Sequence, residues 1–170
     1  PYMRFQLFNN RDAVFASFVQ HLDCRLSGYT NIASAFLMKS IAELLPSGRL
    51  AYIMPLEFLN TGYGKAIKSR LLADGLLKVL IRINPEKDVF PEATTSVGIV
   101  LVENDGVDSP VRFYTASNVS DLTSLLETTS TKEIARHELK PSDKWLKHFD
   151  ERHSNFQSCD LVTIDTYGSF

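Results

Sequence analysis

The stretch Gly48-Arg49-Leu50-Ala51-Tyr52-Ile53-Met54-Pro55 decides the fold. It is an apolar run of strand length, closed by a glycine before it and a proline at its end. Such a run predicts a strand buried on both faces, as in a parallel sheet. Immediately upstream, Ile32, Ala33, Phe36, Leu37, Ser40, Ile41 and Leu44 recur at three- and four-residue steps. That spacing predicts an amphipathic helix with Thr30 as N-cap, ended by Pro46-Ser47-Gly48. Downstream, Gly62-Tyr63-Gly64 opens a second helix with Ile67, Leu71 and Leu72 inward and Gly75 as its stop. Leu76–Ile83 and Val97–Glu103 are two further apolar runs of strand length. The loop between them is too short for a helical crossover, so they are expected to be antiparallel. The class is α/β: an open sheet with a terminal antiparallel strand and flanking helices.

The flanks are less patterned. Phe8, Phe15 and Phe18 approximate helical spacing around the turn Asn9-Asn10-Arg11-Asp12. Asn104-Asp105-Gly106-Val107-Asp108 reads as a turn or linker, which divides the chain into residues 1–105 and an extension, 106–170. Within the extension, Val111–Tyr114 fits a strand, Val119–Leu126 a short helix and Thr128–Thr131 a loop. Lys144-Trp145-Leu146 with Phe149 fits one amphipathic turn. Trp145 between two lysines invites a nucleic-acid stacking role, against which stands partial burial on a helix.

The 170 residues suit one domain of ordinary size, with 44% hydrophobic and 22% charged residues, as expected of a soluble globular protein. No apolar run reaches the ~18–20 residues of a membrane span, and no signal peptide opens the chain. Cys24 and Cys159 lack metal-ligand spacing, which points to a reduced, cytoplasmic protein without a metal site. His21, His137, His148 and His153 form no metal-binding pair and suit surface or cap roles. Charge is uneven: residues 1–87 carry 11 Lys/Arg against 6 Asp/Glu, and residues 88–170 carry 7 against 14. A basic front half could face phosphates, and uneven surface charge with no ligand explains the same numbers.

One ordered set of landmarks is more specific. The chain opens on Pro1-Tyr2, continues through Asn31-Ile32-Ala33-Ser34-Ala35-Phe36 and the Leu44–Pro55 block, and then reaches Phe58-Leu59-Asn60. It passes next through Val89-Phe90-Pro91 with Thr94-Thr95-Ser96, and into an apolar strand. The set is similar to the gamma-ordered N6-adenine DNA methyltransferases of restriction-modification systems, over Pro1 to about Glu103. Pro1-Tyr2 resembles the end of the family's Asn-Pro-Pro-Tyr motif. On this resemblance the chain is expected to start inside that motif, as the second half of a Rossmann-like, class I methyltransferase sheet.

The resemblance implies that Pro1 and Tyr2 belong to the catalytic motif and that Tyr2 and Phe90 sandwich a flipped adenine. It implies S-adenosylmethionine as cofactor, with Phe36 bordering its adenine ring. Ile32 and Ser40 around Phe36 equally suit plain packing. Asn31 would cap the helix, while Pro55 and Asn60 stand where ligands meet the carboxyl edge of such sheets, though turn formation accounts for both equally. The glycine-rich cofactor loop and the ribose-binding acid are not in this sequence, so the 170 residues alone are expected to be inactive. DNA is the implied partner, with a restriction or specificity subunit or a fused domain beside it. Asp165–Phe170 resembles the approach to a target-recognition domain. Glutamine N5 or RNA amine methyltransferases share the Asn-Pro-Pro-Tyr motif, and a non-catalytic interaction module could keep the fold. The Phe90 loop and the long extension favour the DNA enzyme.

Overall fold

The computed structural model describes residues 9–22, 25–83, 96–117, 119–128, 130 and 132–149. Pro1, Tyr2 and Phe90, and the tail from residue 150, lie outside the described residues.

Among the described residues, three α-helices and five strands follow in the order α1 (Arg11–Leu22), α2 (Ile32–Ala42), β1 (Arg49–Pro55), α3 (Gly64–Leu72), β2 (Leu77–Ile83), β3 (Val97–Glu103), β4 (Val111–Ala116) and β5 (Lys132–Ile134). All five strands form one sheet in the order β1-β3-β2-β4-β5. The expected antiparallel strand, β3, is inserted between β1 and β2 and runs opposite to both, with Val97 facing Pro55 on one side and Ile83 on the other. The parallel pair β1 and β2 therefore belong to one sheet without touching. Its insertion demands close approach: a Cβ at Gly98 would overlap the Ile81 carbonyl and the Leu56 side chain. The extension continues the same sheet, since β4 pairs in parallel with β2 and β5 returns antiparallel to β4.

The two faces of the sheet are filled unequally. One face presents Met54, Leu77, Leu80, Val100, Val102, Val111 and Phe113 to α2, α3 and the Trp145 segment, and this is the main core. The other carries Val79, Ile81, Tyr114 and Ala116, which pack with Leu125 and Leu122 of the extension. β1 is thus not buried on both faces as its composition predicts. It is the edge strand of the described sheet, with Ala51 exposed and Ile53 49% exposed.

Several local expectations are settled or change. Of the two caps expected for α2, Asn31 rather than Thr30 takes the role: its Oδ1 accepts from the Ser34 amide at 2.8 Å, while Thr30 is buried. Val119–Leu126 forms two short 3₁₀ turns, Val119–Thr123 and Leu125–Glu127, rather than one helix. Trp145 opens a 3₁₀ turn, Trp145–His148, and is fully buried, which removes it as a platform for nucleic-acid bases.

Candidate functional site at the carboxyl edge of the sheet

Both helices of the main face point their N-termini at one edge. Asn31 at the start of α2 donates from Nδ2 to Glu57 Oε1 at 3.0 Å, and Glu57 lies just past the carboxyl end of β1. At the other end of α2, Asn104 Nδ2 donates to the Leu44 and Leu45 carbonyls at 3.3 and 3.2 Å, next to the start of β1. Helix α2 therefore runs antiparallel to β1. Helix α3 starts near the same turn, where a Cβ at Gly64 would overlap the Phe58 carbonyl, and ends beside Gly75, whose φ of +69° turns the chain into β2. Two helix N-termini, each carrying partial positive charge, thus meet the carboxyl ends of β1 and β2. In open α/β sheets this is the edge where ligands bind.

A three-residue cluster holds that edge together. Glu57 Oε1 accepts from Asn31 Nδ2 and also from the Tyr63 hydroxyl, each at 3.0 Å, and Asn31 Nδ2 lies 3.3 Å from Tyr63 Oη. Burial, reinforced by the Glu57 charge, pushes the Tyr63 hydroxyl above its ordinary pKa, so it stays a donor. Beside the cluster, the Leu56 amide donates to the Ser96 carbonyl at 2.8 Å, which ties the entry to β3 onto the turn after β1. Asn60 Oδ1 accepts from the Leu146 amide at 3.1 Å.

The extension crosses this same edge. The Phe149 carbonyl accepts from Thr115 Oγ1 at 3.3 Å and from Arg82 Nη2 at 3.4 Å, the latter near the end of β2. Beneath it, Lys68 of α3 is buried and donates to the Leu59 and Asp143 carbonyls at 3.1 and 2.6 Å, with its ammonium 5.5 Å from the Trp145 ring centroid. Burial lowers the Lys68 pKa, with Asp143 acting in the opposite direction.

Of the expected site residues, Phe36 is the one the structure describes. It projects from the second turn of α2 and is 55% exposed, so packing among the described residues does not account for it. Pro55 and Asn60 stand at the carboxyl edge as expected of their positions. Glu57, Tyr63 and Lys68 escape sequence reasoning, because nothing in their spacing distinguishes them from surface residues of a helix–turn. Part of the basic front half is paired or buried: Lys39 pairs with Glu43, Arg49 with Glu103, Arg70 with Asp74 and Lys78 with Asp105, and Lys68 is buried. Among the described residues, no group of His, Cys, Asp and Glu could hold a metal ion, and no helix is long and apolar enough to cross a membrane.

Comparison with known proteins agrees with this geometry. The fold is similar to that of the type IIG restriction endonuclease BpuSI, with a TM-score of 0.53 at 15% identity over 73% of this chain and 16% of that one. It is also similar to the methyltransferase subunit of a type I restriction-modification system from Streptococcus thermophilus, with a TM-score of 0.52 at 20% identity over 61% of this chain and 23% of that one. The mixed sheet is thus of the class I methyltransferase type. In sequence, the chain is 34% identical to the type II methyltransferase M.AccI of Acinetobacter calcoaceticus, across 98% of its own length. It spans about a third of that relative, 32%. Residues 1–90 match the model of the Eco57I restriction-modification methylase family, and to that family this chain belongs.

Proposed function

We propose that this chain carries the second half of the catalytic domain of an enzyme that transfers a methyl group from S-adenosylmethionine to the N6 of adenine in DNA. The observation that carries the reading is the convergence, in a restriction-modification methylase, of two helix N-termini and two parallel-strand ends on one edge. Adenine N6 is hard to methylate because its lone pair is delocalised and the base is stacked within the duplex. An enzyme must therefore extrude the base and hold it between flat surfaces. Tyr2 and Phe90 are the proposed surfaces, each stacking contact being worth ~1–3 kcal/mol, which offsets much of the unstacking cost. Pro1 belongs to the same catalytic motif. Supporting this, β2 ends at Ile83 and β3 begins after Ser96, both at the carboxyl edge, on either side of the segment that carries Phe90.

S-adenosylmethionine would supply the methyl group, and Phe36 would offer a face to its adenine ring. The exposure of Phe36 on a helix whose N-terminus meets the ligand edge fits that role. Residues 1–105 would form the catalytic part of the methyltransferase portion. Residues 106–170, which add β4 and β5 to its sheet, would lead from it, by way of the Trp145–Phe149 crossing, toward a DNA-recognising module or partner subunit. The protein would act in the cytoplasm, where DNA and the methyl donor meet.

The test is the chemical identity of the product. The intact enzyme, given DNA and isotopically labelled S-adenosylmethionine, should yield labelled N6-methyladenine after digestion to nucleosides. Label in 5-methylcytosine, N4-methylcytosine, RNA or protein would refute the reading.

A further inference from the structure

We infer that Glu57 is a positioning residue, setting the height and tilt of α2, and so of Phe36, against the carboxyl edge. The inference rests on the proposed role of Phe36 as a cofactor contact.

Asn31 already caps α2 through Oδ1, which accepts from the Ser34 amide and needs no help from Nδ2 to do so. Its Nδ2 is spent instead on Glu57, from a different element, and the same carboxylate oxygen also receives the Tyr63 hydroxyl at the entry to α3. One exposed oxygen thus joins the start of α2, the turn after β1 and the start of α3. Ordering an exposed glutamate against two neutral donors returns modest stability, because water competes for the same groups and the side chain loses rotamer freedom. What the arrangement supplies is geometry. Phe36 stands about 6 Å along the axis from the first residue of α2, so a shift or tilt at Asn31 passes directly to it. The far end of α2 is held by Asn104 through the Leu44 and Leu45 carbonyls. Between the two ends the packing is mainly apolar, through Ala33, Leu37, Met38 and Ile41. Such packing is non-directional and restrains the tilt of the N-terminal turns less sharply than a hydrogen bond there does. Both donors to Glu57 are neutral, and an acceptor oxygen is all they require.

The experiment is a double-mutant cycle in the intact enzyme, reading KM for S-adenosylmethionine, kcat and Tm together. Phe36→Ala should raise that KM. Glu57→Ala should raise it threefold to tenfold, with kcat and Tm nearly unchanged. Glu57→Gln should restore wild-type behaviour, because its Oε1 still accepts from both donors. In the Phe36→Ala background, Glu57→Ala should add nothing. If Phe36→Ala raises KM while Glu57→Ala does not, or if the two effects simply multiply, the positioning role is wrong. If Glu57→Gln is as damaging as Glu57→Ala, the charge itself is needed and Glu57 contacts a ligand, which also overturns it. If Phe36→Ala leaves KM unchanged, the cofactor role of Phe36 fails first, and the inference falls with it.

Discussion

The two ends of the parallel strands are built from different chemistry. At the amino end, charge meets charge or main chain. Arg136 donates from Nε to Asp108 at 2.7 Å and from Nη2 to the Gly75, Leu77 and Ser109 carbonyls, each at 3.0 Å. Lys78 pairs with Asp105 at 2.7 Å and also reaches the Val107 carbonyl at 2.8 Å. Asn104 closes the last turn after α2. At the carboxyl end, Arg82 and Lys68 reach main-chain carbonyls, and the side-chain cluster is made of neutral donors, Asn31 and Tyr63, converging on a single exposed carboxylate. The amino end is stitched shut and should contribute stability. The exposed Glu57 cluster at the carboxyl end returns less energy than the amino-end network and should contribute function. That division can be tested at each end.

The largest stability effect is expected at Arg136. Arg136→Ala would leave three partly buried carbonyls without this donor, at roughly 1–3 kcal/mol for a group left fully unpaired and less where water can reach it. A loss on the order of 3 kcal/mol should appear in urea unfolding, with turnover per folded molecule preserved in the intact enzyme. Loss of turnover without loss of stability would break the comparison. Asn104→Ala removes the amide that satisfies two carbonyls after α2 and should cost about 1 kcal/mol by the same measurement.

Tyr63 gives a smaller, pH-dependent effect. Its folded pKa is raised above the ordinary value of 10.0, first by burial and then by Glu57. The folded state therefore holds this proton more tightly than the unfolded chain does. The stability it contributes is fully present below about pH 10 and is lost as pH rises from there toward the folded value. Tyr63→Phe should accordingly flatten the fall in unfolding free energy between about pH 9 and 11. An unchanged slope would show that Tyr63 is not protected as described. Smallest of all should be Arg49→Ala. Its guanidinium is 80% exposed where it meets Glu103, so the change should stay within about 0.5 kcal/mol. A larger loss would mean the amino end depends on its surface pairs more than their exposure allows.

Much of this was legible in the residues. The runs that became β1, β2 and β3 are bounded by Gly48, Pro55 and Gly75, and both main helices follow their apolar periodicity. The antiparallel sense of β3 follows from its short connection, but its insertion between β1 and β2 does not. Strand order depends on contacts such as Gly98 against Ile81, which no local pattern encodes. The extension was harder, because β5 has three residues and the 3₁₀ turns too few for a period to show. In the candidate site, Phe36 was visible through its place among ordered landmarks. Glu57 and Tyr63 were not, since their meaning lies in a contact with Asn31 across 26 and 32 positions of sequence.

The most direct test of the carboxyl edge as the methyl-transfer site is Phe90→Ala in the intact enzyme, with adenine methylation per folded molecule measured beside Tm. Removing one stacking face should cost ~1–3 kcal/mol, or roughly tenfold to a hundredfold in rate, at an unchanged Tm, and Phe90→Trp should recover much of it. Unchanged turnover in Phe90→Ala, with a lowered Tm, would contradict the account.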